Sequence, residues 1–247
     1  MSNKSIVITG ASDGIGKALA WEMAARGYNL GLTARRIGLL EILKDEIQKK
    51  YPAIVVCVQV MDVTDYEQQE VVLATLHQQL GKIDILVVNA GIAIAGKVGL
   101  MPLTDQLSVI NTNLNGAIAT VSSGLKIFRQ QGYGHLVATS SIAAFRGLSR
   151  NAAYCASKSG LTTFMEAVRV ETYKENIDVT ILHPGYIDTE INRSLASRPF
   201  VIGVEKGASI FAGLIERKVA SSTVPQFPWN VVGPLLKVLP TSLIAKM

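Results

Sequence analysis

Short apolar runs alternate with helical patterns along most of the chain, and this alternation constrains the fold more than any other feature. Residues 5–9 (Ser-Ile-Val-Ile-Thr), 29–33, 54–60, 83–88, 134–140 and 177–182 read as strands. Helical spacing fills the intervals, over residues 15–26, from Leu39 to Ile47, and over 65–80, 103–131 and 151–176. Gly27 stands where a helix end favours glycine. Strands this continuously apolar are buried on both faces, so helices must cover both sides of a parallel sheet. The expected fold is α/β: a doubly wound, Rossmann-type parallel sheet in three layers, forming a single domain over residues 1–247. Beyond Pro184 the pattern weakens. Residues 185–203 read as a loop region with a short helix, 204–219 as a helix, 223–227 as a last strand and 225–247 as an apolar tail.

Composition narrows the function. Apolar residues make up 49% and charged residues 17%, which suits a compact enzyme and excludes a disordered chain. The net charge of +5 is dispersed, with no basic run interleaved with aromatics, so nucleic acid is not an expected partner. Cys57 and Cys155 have neither metal-ligand nor redox spacing and are expected as reduced thiols in a cytoplasmic protein. The first strand begins within a few residues of Met1, so no signal peptide is expected, and no long apolar stretch free of charge and proline suggests a spanning helix. His77, His135 and His183 are far apart and read as structural, with no metal site expected.

The turn after the first strand is Thr9-Gly10-Ala11-Ser12-Asp13-Gly14-Ile15-Gly16. Gly10 permits a tight turn, Gly14 a close approach of backbone to a pyrophosphate, and Gly16 close packing of the next helix. Helix N–H groups and the helix dipole then favour an anion. A glycine turn alone is a weak signal, but the strand–turn–helix context is the one such a motif requires. Dinucleotide folds selective for NAD place a carboxylate at the end of the second strand. This chain has Ala34, Arg35 and Arg36 there, and an arginine can hold a 2′-phosphate through charge-assisted hydrogen bonds, so NADP(H) is the expected cofactor.

Further motifs follow in order: Asn89-Ala90-Gly91 after the fourth strand, Asn113-Leu114-Asn115-Gly116 in the long helix, Ser141 after the fifth strand, Tyr154-Cys155-Ala156-Ser157-Lys158, and Pro184-Gly185 with Thr189 after the sixth strand. With its TGxxxGxG turn and YxxxK pair, the chain resembles the short-chain dehydrogenase/reductase family from about Lys4 to Val219. The resemblance implies a catalytic tetrad of Asn113, Ser141, Tyr154 and Lys158. Chemistry agrees with it: residues four apart on a helix share a face, and an ammonium beside a phenol lowers the phenol's pKa. Ser141 would hydrogen-bond the substrate oxygen, and Asn113 would anchor a proton-relaying water. The resemblance also implies cofactor contacts at Gly10, Ser12, Asp13, Gly14, Ile15, Gly16, Arg35, Arg36, Asp62, Val63, Asn89, Ala90, Gly91, Tyr154, Lys158, Pro184, Gly185, Ile187 and Thr189. Asp62 and Val63 would meet the adenine, Ser12 would assist Arg35 at the 2′-phosphate, and Ile187 and Thr189 would meet the carboxamide.

The expected activity is hydride transfer between NADP(H) and a small-molecule carbonyl or secondary alcohol. The substrate is expected to be apolar, because residues 92–98, 142–150 and 186–202 are largely so. The alternative is an NADP(H)-binding sensor on the same fold, which a complete tetrad argues against. A homodimer or homotetramer is expected by resemblance. The tail departs from the family pattern. It could cover the pocket, join a subunit interface or touch a membrane surface, and Pro234 and Pro240 are expected to interrupt any long helix there, which favours docking on protein.

Overall fold

The structure is a computed structural model, and it describes residues 3–193, 195 and 197–245. The last two residues of the apolar tail lie outside the described residues, as do two positions of the 185–203 loop. Seven parallel strands form one sheet in the order β3-β2-β1-β4-β5-β6-β7. They are β1 (Ser5–Thr9), β2 (Asn29–Ala34), β3 (Val56–Val60), β4 (Ile85–Val88), β5 (Gly134–Thr139), β6 (Ile177–Pro184) and β7 (Ser221–Val224). The helices are α1 (Gly14–Ala25), α2 (Ile37–Lys50), α3 (Tyr66–Leu80), α4 (Leu103–Ile110), α5 (Gly116–Gln131), α6 (Ala152–Glu171), α7 (Glu190–Arg193), α8 (Val204–Glu216), α9 (Trp229–Val238) and α10 (Thr241–Ile244).

Two apolar layers sandwich the sheet. One joins Leu19, Met23, Leu40 and Phe211 to β1 and β2; the other joins Leu73, Phe128, Leu161 and Met165 to β4 and β5. Both faces of the central strands are therefore buried, as their unbroken apolar sequence requires. The winding reverses between β1 and β4, and a crevice opens there at the carboxyl ends of the strands. No helix among the described residues is long and apolar enough to cross a membrane.

The structure corrects the sequence reading in several places. The helix expected over 103–131 is broken by a π-helical turn, Asn111–Asn115. The last strand lies two residues earlier than expected, at Ser221–Val224. Pro234 lies inside α9 rather than ending it, while Pro240 does separate α9 from α10. A helix of ten residues tolerates the one missing N–H because its inner face is held by tertiary packing of Trp229, Gly233 and Leu236. The tail docks on its own protein. Trp229 meets Tyr186 and Phe200 edge-on, and Arg146 donates to the Leu239 carbonyl at 3.4 Å.

His135 and His183 are buried strand residues, each held down to about 4 in pKa mainly by burial. Thr180 donates to the Val219 carbonyl at 2.6 Å, so the His135 Nε2–H donates to the Thr180 oxygen at 2.9 Å. A histidine with a depressed folded pKa lends stability that is full above its unfolded pKa and lost as pH falls. From the unfolded value of 6.5 down to about 4, protonation of His135 should cost about 3 kcal/mol. His183 contributes a similar slope, so His135→Gln should roughly halve the loss of denaturant-measured stability across that window, and an unchanged pH slope would contradict the assignment.

Candidate active site

The glycine turn is shaped by contacts that leave no room for side chains. Gly10 has φ +67°, and a Cβ there would lie 2.8 Å from the Ala90 Cα. A Cβ on Gly16 would lie 2.4 Å from the Gly10 carbonyl oxygen, so α1 starts hard against the turn. The Asp13 carboxylate caps α1 by accepting from the Gly14 N–H at 2.7 Å. The Thr9 hydroxyl accepts from the N–H groups of Asn89 and Ala90 at 3.0 and 3.1 Å, and the Asn89 amide donates to the Thr9 carbonyl at 3.0 Å. These bonds clamp the end of β4 to the end of β1 across the crevice.

A cavity of about 470 Å³ occupies the crevice. The glycine turn, Asp62, Val63, the stretch 89–91, Tyr154, Lys158, Pro184 and Thr189 all line it, with Gly14 close to Thr189 and Gly91 close to Lys158. Arg35 and Arg36 also line it, both exposed. Ser12 pairs with Arg36 rather than with Arg35: the Arg36 guanidinium donates to its hydroxyl at 3.1 Å and lies 3.6 Å from the Asp13 carboxylate. Burial pushes the Asp62 carboxyl up in pKa, but bonds from the Thr64 N–H and hydroxyl, with the charge of Arg35, bring it below its ordinary value.

The π-helical turn carries Asn113 into the second end of the site. Such turns often mark functional positions, because the extra residue per turn redirects a side chain. Asn113 is buried; it accepts from the Ile92 N–H at 2.8 Å, and donates to the Ile92 carbonyl at 2.8 Å and the Ser157 hydroxyl at 3.3 Å. Gly91 passes between Asn113 and Lys158, where a Cβ would lie 3.2 Å from the Asn113 oxygen and 3.6 Å from the Lys158 nitrogen.

Tyr154 and Lys158 share one face of α6, with the ammonium 5.8 Å from the phenol ring centre. Lys158 is buried and donates to the Thr139 carbonyl at 2.8 Å; burial pushes its pKa down to about 8. Burial also raises the Tyr154 hydroxyl, and a hydrogen bond with Ser141 only partly offsets it. Burial therefore outweighs the expected lowering of Tyr154, and the phenol is protonated at neutral pH. Ser141 leaves β5 with extended backbone, and its oxygen accepts from the Ala143 N–H at 3.1 Å. That bond uses a lone pair and leaves the hydroxyl proton to point at Tyr154.

Five expected site residues do not line the cavity: Gly16, Asn113, Ser141, Gly185 and Ile187. Gly16 and Asn113 act on its walls, as described, and Ser141 reaches Tyr154. Gly185 supports Trp229, whose indole nitrogen lies 2.1 Å from where a Cβ would stand. Ile187 is buried, and its carbonyl already accepts from Thr189 and Asn192 at 3.2 and 2.7 Å. Sequence reasoning passed over Thr139 and Ser157, which hold Lys158 and Asn113. Thr139 acts through its backbone carbonyl, which residue type does not reveal.

The family model for short chain dehydrogenases matches residues 4–199. The chain belongs to the short-chain dehydrogenase family. It is 38% identical over 244 residues to an uncharacterised oxidoreductase of Mycobacterium tuberculosis, covering 98% of this chain and 96% of that one. It is 34% identical to an NADP-dependent 3-hydroxy acid dehydrogenase of Schizosaccharomyces pombe, over 78% of this chain and 74% of the relative. The alcohol dehydrogenase of the archaeon Thermococcus sibiricus, solved with 5-hydroxy-NADP, superposes with a TM-score of 0.82 at 26% identity, over 89% of this chain and 95% of that one. Family membership makes this short-chain dehydrogenase an oxidoreductase that works with a nicotinamide dinucleotide.

Proposed function

We propose that the protein is an NADP(H)-preferring reductase or dehydrogenase acting on a carbonyl or secondary alcohol of an apolar small molecule. The observation that carries this reading is one crevice lined by the glycine turn, two arginines, and Tyr154 with Lys158. The residues fit a dinucleotide: Gly10, Gly14 and Gly16 keep side chains out of the turn, which lines the cavity at the N-terminus of α1, where the helix dipole favours a pyrophosphate. The relative from Schizosaccharomyces pombe, named as NADP-dependent, supports the cofactor preference.

A bound reduced dinucleotide supplies hydride to the carbonyl carbon. Ser141 turns its hydroxyl proton from Tyr154 to the carbonyl oxygen and fixes that oxygen beside the phenol. The protonated Tyr154 then gives its proton to the developing alkoxide. Lys158 spends one N–H on Thr139 and has two left, for a ribose hydroxyl and for the phenolate that proton transfer leaves. Asn113 holds the Ile92 backbone next to this pair, where a relaying water returns the proton to Tyr154. Ile92, Ala93 and Ile191 line the cavity and suit an apolar molecule.

Arg35→Ala tests the cofactor half of the proposal. Loss of a charge-assisted bond of about 1.5–3 kcal/mol should weaken NADPH binding roughly 10- to 100-fold and leave NADH almost unchanged. Fluorescence titration of both cofactors measures this, and equal losses would contradict a 2′-phosphate contact.

A further inference from the structure

Ser141 stands one residue beyond the last ladder bond between β5 and β6, the Ser140 N–H to the Leu182 carbonyl at 2.8 Å. Past this bond the sheet no longer holds the chain. Ser141 turns into a short 3-10 helix, Ile142–Ala144, and its carbonyl accepts from the Ala144 N–H at 3.0 Å. A second partner reaches the same carbonyl: the Nδ1 of His183 lies 3.3 Å away. A carbonyl only accepts, so Nδ1 carries the proton. His183 is 3% exposed, and its imidazole is locked from the other side. It stacks on Phe145 with ring centres 4.8 Å apart and planes 33° apart. The C-terminal helix backs this stack. A Cβ on Gly233 would lie 2.6 Å from the Phe145 ring, and the Lys237 ammonium lies 5.4 Å from its centre.

We infer that His183 is a positioning residue for hydride transfer: through its bond to the Ser141 carbonyl it fixes the direction of the Ser141 hydroxyl, and α9 holds it in place through Phe145. This rests on the reading of Ser141 as the donor to the substrate oxygen. The geometry assigns His183 a task that a merely space-filling strand residue would not have. Rotation of the Ser141 peptide would carry its side chain away from Tyr154, and a sub-ångström error at a reacting group is costly. The apolar tail thereby backs the active site through Phe145.

Two substitutions separate positioning from packing. His183→Phe keeps a ring against Phe145 and removes the donor. His183→Asn places an amide N–H near the position of Nδ1. With any carbonyl that wild-type enzyme reduces, the phenylalanine variant should lose roughly 10- to 100-fold in kcat, while KM for NADPH stays within about twofold. The asparagine variant should recover kcat to within about threefold of wild type. If His183→Phe does not fold, the asparagine variant decides alone: a tenfold or greater loss of kcat in folded protein overturns the inference. A folded His183→Phe with wild-type kcat, or kcat and NADPH affinity lost in equal measure, also overturns it. Turnover by wild type and its loss in Tyr154→Phe test the underlying reaction separately, so failure of the two readings can be told apart.

Discussion

Tyr154→Phe should lower kcat roughly 1,000-fold or more while NADPH affinity stays within about threefold. The substitution removes one oxygen from a half-buried ring and leaves the ring's packing on α6 in place. It removes no donor from the glycine cradle or from Lys158. What disappears is the proton for the developing alkoxide. Burial holds that proton on Tyr154 at neutral pH, so the loss should be equally severe from pH 6 to 8 (both values roughly set by the ordinary histidine range). Steady-state rates and a fluorescence titration on the same preparation measure the two effects. Residual kcat above about a tenth of wild type would remove Tyr154 from the proton-transfer step.

Lys158→Met carries the second large effect, with a different signature. Methionine fills much of the same buried space without the ammonium. The loss should exceed roughly 100-fold in kcat and should also weaken NADPH, because the proposed function gives Lys158 both the phenolate and the ribose to hold. Stability should change little. The variant forfeits the bond to the Thr139 carbonyl but is relieved of the desolvation that pushes Lys158 down to about 8. The thermal midpoint is therefore expected to stay within a few degrees of wild type, and a collapse of the midpoint would make Lys158 a structural anchor first.

Much of this was legible in the sequence because it rests on local chemistry. The Thr9–Gly16 turn needs glycines for contacts that any side chain would fill, and the strands announce double-sided burial by their composition. Tyr154 and Lys158 share a face by helical spacing alone. What stayed hidden depends on contacts distant in sequence. The π-helical turn at Asn111–Asn115 is fixed when Asn113 meets Ile92 and Ser157, and no periodicity encodes that. The pairing of Ser12 with Arg36 rather than Arg35 follows from how the chain leaves β2. His183 read as structural because its partner carbonyl is a backbone group 42 residues away. Pro234 read as a helix breaker, yet Trp229 packed over Gly185 anchors the helix that contains it.

The central claim is that this crevice passes hydride from NADPH to a carbonyl carbon. The direct test is to incubate wild type with a panel of apolar ketones and aldehydes and NADPH deuterated on either face of the nicotinamide's reactive carbon. Deuterium from one face only is expected at the carbinol carbon of the product, with almost none formed by Tyr154→Phe. Tight NADPH binding with no deuterated alcohol from any member of the panel, or label in the product from both faces alike, would contradict it.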